Sequence, residues 1–238
     1  MKVLKISGAI VPKDDAWFYD WLEMDYTTTT NVEEFLADMQ GAEPITVQIN
    51  SGGGDVWTGS EIYSMLKNYA GHVTVEIESL CASIATVIAS AGDTVKMSPV
   101  AQYMIHGASM IGQGNRSDME QYADFLEKVD TTIRNAYLLK TKNVTAEQLT
   151  QWMETDTWFT PQEALEHGFV DEIMYDYEGT LSNPVEVRAI AYAGGGLIPS
   201  KKIKAFKEKT FEEKTKKQEN VKILEAKLKY LQLGGVGE

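Results

Sequence analysis

Glu78-Ser-Leu-Cys-Ala-Ser-Ile-Ala-Thr-Val-Ile-Ala-Ser-Ala-Gly92 marks the point where a β-rich run gives way to small and aliphatic residues at helical spacing. Upstream, His72-Val-Thr-Val-Glu-Ile-Glu78 alternates β-branched with other residues, the period-2 pattern of a strand. Downstream, Ala82, Ala85 and Ala89 predict a helix that packs very close to a neighbour. The junction falls on Ser83. A serine there stands exposed at the end of the strand, and the free N–H groups and positive dipole end of the helix favour a nucleophile and an oxyanion. Serine is also among the commonest plain N-caps, the more ordinary reading of such a junction, which by itself leaves both open.

Working back from this unit, residues 3–7 read as a first strand, and Trp17, Phe18, Trp21 and Leu22 as a short apolar helical face after Asp14 and Asp15. The threonines at 27–30 read as a loop. Asn31-Val-Glu-Glu34 has the form of an N-cap with Glu three residues on, opening an amphipathic helix through Val32, Phe35, Leu36 and Met39 to about Gly41. Residues 45–50 form a buried-type strand, then Gly52-Gly-Gly54 a turn, then a helix bearing Val56, Ile62, Tyr63, Leu66 and Tyr69. The glycines lack both the Lys-Ser/Thr of a P-loop and the G-x-G-x-x-G pattern, so a nucleotide is not expected. Either they make a plain tight turn or they let backbone approach backbone and offer N–H groups to a bound carbonyl.

Forward from Ser83, residues 94–97 and 102–106 read as two short strands, and the strand-helix alternation predicts right-handed crossovers and a largely parallel sheet. His106 closes its strand before Gly107, where α/β sheets place working residues; a structural role is the other reading of a lone histidine. His72 opens a strand, and His167 ends a helix beside Gly168. The longest helix covers 117–142, with a stripe of Met119, Tyr122, Leu126, Val129, Ile133 and Tyr137 widened by Phe125 and Ala136. With Gly112 and Gly114 as a hinge, it is expected to project and pack on another subunit. Thr145-Ala-Glu-Gln148 and Thr160-Pro-Gln-Glu163 read as capping boxes. Between them Asp156 lies in a loop among apolar neighbours, and residues 169–174 read as a short strand.

Bulk properties narrow the classes. The 238 residues, 43% hydrophobic, suffice for one core of about 190 residues and an appendage. No apolar run is long enough to span a bilayer, and Met1-Lys-Val-Leu-Lys-Ile enters a strand pattern directly, which predicts a cytoplasmic protein without a membrane partner. The single cysteine, Cys81, fits a reducing compartment. A formal charge of -13 argues against nucleic acid as a partner of the body. Residues 201–238 hold 11 Lys and 6 acidic residues (+5), leaving 11 basic and 29 acidic (-18) before them. That shift, after a stretch at 185–190 that reads as one more strand, divides the chain into residues 1–192, a Gly/Pro linker at 193–200, and a basic Lys/Glu-rich helical tail at 201–238. Val221, Leu224, Leu228 and Leu231 give the tail barely two heptads, enough for a partner helix or for a solvated extension.

Four pieces then carry a resemblance from about Val3 to Met174: Ile49-Asn-Ser-Gly-Gly-Gly54, Cys81-Ala-Ser-Ile-Ala85, Tyr103-Met-Ile-His106, and Asp156-Thr-Trp-Phe-Thr-Pro-Gln-Glu-Ala164 followed by Gly168-Phe-Val-Asp171. In this order and spacing the sequence resembles the ClpP family of self-compartmentalising serine peptidases. The resemblance implies an α/β fold, a ClpP/crotonase-like spiral of β-β-α units with a projecting long helix, here with a C-terminal helical extension. It makes Ser83 the nucleophile, His106 the base and then acid, and Asp156 the group that orients the imidazole. It gives the oxyanion to the backbone N–H groups of Ile84 and Gly54, and substrate pairing to the segments around Gly53, Asp55, Val56 and Gly107. No cofactor and no metal is implied, and a homo-oligomeric ring is expected because the long helix otherwise leaves too much apolar surface bare.

Departures sharpen the expectation. Gly52 and Asp55 stand where the family has Pro and an apolar residue. The N-terminus is too short for the loops that engage an AAA+ unfoldase, which argues against that partner. A compact domain with an added Lys/Glu helix is similar to the head maturation (prohead) proteases of tailed phages, hence an endopeptidase trimming scaffold or capsid proteins in the host cytoplasm or procapsid. The alternatives are a catalytically silent ClpP-like scaffold or adaptor, and an ATPase-assisted general protease. Crotonase chemistry, a Ser/Lys dyad and Cys81 as nucleophile fit the residues less well.

Overall fold

Alternating β-branched runs build one sheet in the computed structural model, which describes residues 2–175. In chain order the strands are β1 (Lys2–Ile10), β2 (Tyr26–Thr27), β3 (Ile45–Gly54), β4 (Val73–Ala82), β5 (Thr94–Met97), β6 (Gln102–Ile105), β7 (Thr157–Phe159) and β8 (Glu172–Ile173). The helices are α1 (Ala16–Trp21), α2 (Thr29–Ala37), α3 (Val56–Asn68), α4 (Ile84–Ala89), α5 (Arg116–Lys140), α6 (Ala146–Glu154) and α7 (Pro161–Glu166). Neighbours run β2-β1-β3-β4-β5-β8, β6 pairs with β4, and β7 pairs with β6. Every pairing is parallel except β6–β7. This is the mixed α/β, largely parallel architecture that strand-helix alternation implies.

The core lies along one face of the central strands: Ile6, Ile45, Val47, Ile49, Val73, Val75 and Ile77 are buried at alternate positions, while Lys5, Gln48 and Glu76 between them stay partly or fully exposed on the other face. The chain departs from the sequence expectation in instructive places. The glycines at 52–54 are not a turn, since β3 runs extended through Gly54, paired with Ala9 and Ile10 of a longer β1. Glycine is demanded by proximity instead: a Cβ on Gly54 (φ +156) would overlap the Ile10 carbonyl. Nor is Asn31 an N-cap. Thr28 caps α2 with an extended backbone, and Asn31 closes the capping box at the third helical position. Four successive threonines each had the chemistry to cap, so the choice is tertiary, and α2 ends at Ala37 rather than near Gly41.

Only the second half of α5 is buried, through Val129, Ile133, Ala136 and Tyr137; Met119 and Phe125 at its start are exposed. Its end is fastened by Lys140, whose ammonium donates to Asp171 Oδ2 at 2.6 Å, the same oxygen that takes the Val95 N–H at 2.8 Å. At Thr160 the full capping box forms, with Pro161 at the first helical position. At Thr145 only half of the expected box forms: its hydroxyl accepts from Gln148 N at 3.2 Å, without the return bond from the Gln148 side chain. The strand expected at 185–190, the 193–200 linker and the 201–238 tail lie outside the described residues.

Candidate active site

Ser83, His106 and Asp156 are brought together by strand register. β4 lies parallel to β6 with Ala82 opposite Met104, and the Ser83 N–H donates to the Met104 carbonyl at 2.9 Å, so the serine emerges beside the end of β6. β6 runs antiparallel to β7 with Ile105 opposite Thr157. One residue further, register sets His106 against Asp156. Three positions spread over 74 residues of sequence thus converge at adjoining strand ends.

Ser83 is the N-terminal cap residue of α4 by position but its side chain makes no capping bond; the hydroxyl instead lies 2.7 Å from His106 Nε2. Its backbone takes φ 57, ψ -133, a conformation that L residues rarely hold. His106 Nδ1 faces Asp156 Oδ1 at 3.7 Å, within ion-pair reach but longer than a hydrogen bond. A neutral imidazole that accepts the Ser83 proton at Nε2 must carry its own proton on Nδ1, the nitrogen turned toward the carboxylate. The His106 side chain is 30% exposed and that of Asp156 73% exposed. Asp156 is therefore open to solvent although Met153, Trp158 and Phe159 flank it in sequence, and its backbone takes a positive φ of 48.

Beside the serine, Ile84 begins α4, so its N–H is one of the free amides at a helix start. Gly53 (φ +92) is pressed against this point: a Cβ there would lie 2.6 Å from Ser83 Cβ, 2.7 Å from the Ala82 carbonyl oxygen and 3.1 Å from Ile84 N. Its N–H donates to Ser51 Oγ at 3.1 Å. Asp55 is committed to the fold: its carboxylate caps α3 by accepting from Thr58 N (2.8 Å) and Thr58 Oγ1 (2.7 Å), and its N–H donates to Ile10 O. Val56 is the first residue of α3 and half-buried. Gly107 N–H donates to the Met153 carbonyl at 2.9 Å, and the next amide, Ala108 N–H, donates to Asp130 Oδ1 at 2.6 Å. Residues 107–114 carry no strand.

Three contributors escaped the sequence. Thr86, three residues past Ser83, and Tyr137 on α5 form a buried hydroxyl pair bonded to the Ser83 carbonyl, and Asp130 holds the segment after His106. Tyr137 lay in plain view as part of an apolar stripe, where its hydroxyl gave no signal of a partner. Cys81 is fully buried, and burial pushes its thiol well above the ordinary cysteine range, away from the reactive thiolate. Among the described residues no group of three or more His, Cys, Asp or Glu is arranged to hold a metal, and no helix is long and apolar enough to cross a membrane.

A family model, that of the Clp protease, matches residues 25–176, which takes in Ser83, His106 and Asp156. The chain belongs to the Clp protease family. Among curated relatives of that family, the ATP-dependent Clp protease proteolytic subunit of Streptococcus sanguinis (strain SK36) is 33% identical over 145 residues, 59% of this chain and 73% of the relative. The proteins of the same name from Streptococcus pneumoniae strains Hungary19A-6 and TIGR4 are 34% identical over the same shares. Membership in the Clp protease family carries peptide-bond hydrolysis as the class of reaction. It accounts for the parallel sheet with its helices, while β1 and α1 precede the matched residues.

Proposed function

We propose that this Clp protease family member is a serine endopeptidase in which Ser83 is the nucleophile, His106 the general base and acid, and Asp156 the orienting carboxylate. The observation that carries the reading is the 2.7 Å contact of Ser83 Oγ with His106 Nε2, made by a serine whose hydroxyl is not spent on capping its helix. Ser83 Oγ attacks the scissile carbonyl carbon as its proton passes to His106 Nε2. The N–H groups of Ile84 and Gly54 receive the oxyanion, and Gly53 provides the room for that approach. His106 then protonates the leaving amine, and water repeats the sequence on the acyl-enzyme. Asp156 needs to advance by about 0.8 Å to hydrogen-bond Nδ1, a tightening typical of substrate-bound sites. An extended peptide would lie between the Gly53–Val56 segment and the segment after Gly107, recognised mainly by its backbone.

The subunit works in a homo-oligomeric ring, for which the exposed start of α5 with Met119 and Phe125 offers an apolar surface. Its substrates are scaffold and capsid polypeptides of an assembling phage head, a reading supported by the basic Lys/Glu extension of the sequence. A general, ATPase-assisted protease is the second reading, favoured by the names of the streptococcal relatives. Incubation with casein and with an unstructured scaffold peptide, without any ATPase, tests the first. Cleavage abolished by Ser83→Ala supports it, and cleavage undiminished in that variant removes the mechanism.

A further inference from the structure

The backbone of Ser83 is held by more than its helix. Its carbonyl accepts twice from Thr86, from the N–H at 3.0 Å and from the side-chain hydroxyl. A threonine hydroxyl has one proton. With that proton spent on Ser83, Thr86 Oγ1 can only accept from Tyr137 OH, 2.6 Å away, so the phenol is the donor. Thr86 is 0% and Tyr137 1% exposed, and burial pushes the Tyr137 phenol upward, which keeps the donor proton in place. The pair lies in the interior, beside the buried Ala85, Val87 and Ile88, with the hydroxyls of Ser90 and Tyr103 donating to the Thr86 carbonyl at 3.2 and 3.4 Å. A hydroxyl pair in such a place costs stability unless fully bonded, and simple packing would be served as well by Val and Phe.

Tyr137 has a counterpart on the same helix. Asp130, seven residues earlier and therefore on the same face, accepts the Ala108 N–H at 2.6 Å, two residues past His106. The two contacts stand about 10 Å apart along one helix. One leads through Thr86 to the main chain of Ser83, the other to the main chain just after His106. We propose that Asp130 and Tyr137, two turns apart on α5, are positioning residues that together fix the separation of the Ser83 hydroxyl from the His106 ring. Neither needs to touch substrate; each acts through main chain. The proposal rests on Ser83 and His106 as nucleophile and base.

The test uses the full chain and two readouts: hydrolysis of an unstructured peptide, and the rate at which a fluorescent phosphonofluoridate labels Ser83. In labelling, the Ser83 Oγ–P bond forms, P–F breaks, fluoride leaves, and the serine proton passes to His106. Tyr137→Phe, Thr86→Val and Asp130→Ala are expected to lower kcat and the labelling rate together by about 10-fold or more, with KM within about 2-fold, as sub-ångström misplacement of reacting groups does. Thr86→Ser and Asp130→Asn keep a hydroxyl and an acceptor oxygen and are expected to stay within about 3-fold of wild type. Melting curves identify any variant that fails to fold; should Asp130→Ala or Thr86→Val do so, Tyr137→Phe, the smallest change, decides. A lowered melting temperature with unchanged kcat and labelling in Tyr137→Phe, or conservative variants as impaired as the deletions, would overturn the proposal. Failure of wild-type Ser83 to take the label would instead strike at the nucleophile assignment.

Discussion

Replacing Gly53 with Ala should disable the site through steric displacement alone. The added Cβ would sit 2.6 Å from Ser83 Cβ and 2.7 Å from the Ala82 carbonyl oxygen. Ordinary carbon contacts begin near 3.5 Å, so the two segments must part by about 0.9 Å. Taken up by Ser83, that movement stretches the 2.7 Å contact with His106 Nε2 beyond hydrogen-bond range. Misplacement on this scale costs about 100-fold in rate. The φ of +92 adds strain of roughly 1–3 kcal/mol for a non-glycine residue. Gly41 supplies the control: it has φ +68 but nothing within 4 Å of a built Cβ, so Gly41→Ala carries backbone strain without the clash. Steady-state peptide hydrolysis and thermal melting of both variants separate the effects. Gly41→Ala should lose a little stability and keep full activity, whereas Gly53→Ala should lose about 100-fold in kcat/KM. Activity within about 3-fold of wild type in Gly53→Ala would refute the geometric reasoning, because a site that tolerates such displacement is not set by this contact.

Other substitutions probe neighbouring parts of the structure. Gly59→Ala places a Cβ onto Ile84 Cγ1, with Cγ2 at 3.2 Å, where α3 meets α4; overpacking of this kind should cost about 2 kcal/mol, seen as a melting temperature lower by about 4–8 °C. Lys140→Met, at the end of α5, leaves the Asp171 carboxylate without its cation and with the Val95 N–H as its remaining donor. The expected loss is about 2 kcal/mol in denaturant unfolding, below the cost for a fully buried pair because Asp171 is 29% exposed. Asp156→Asn removes the charge facing His106 Nδ1 while keeping the shape. Hydrolysis should fall by about 100-fold in kcat with KM little changed, less than for an enclosed carboxylate because this side chain is 73% exposed.

The legible parts of the sequence were those decided locally. Alternation in 73–77 and the helical stripe through Val129, Ile133 and Tyr137 each follow from one face meeting the core, and both elements form where the pattern places them. Ser83 was legible because the change of period falls on it. Long-range effects were hidden. The Gly52–Gly54 run reads as a turn because glycine breaks regular structure in isolation, yet here Gly53 is required by Ser83 and Gly54 by Ile10, close in space and distant in sequence. Asp156 lies in the expected loop with apolar residues on either side, but nothing in those neighbours says that its own side chain is 73% exposed. The hydroxyls of Thr86 and Tyr137 were invisible for a similar reason: neither residue type nor spacing says that two buried side chains 51 positions apart will share a proton.

The most direct test of the account is to locate the reactive serine. Wild-type protein exposed to a phosphonofluoridate, digested and mapped by mass spectrometry should carry one adduct, on Ser83. The adduct should vanish in Ser83→Ala and form far more slowly in His106→Ala. An active protein that takes no label, or takes it at another residue, would contradict the assignment of Ser83 as the nucleophile.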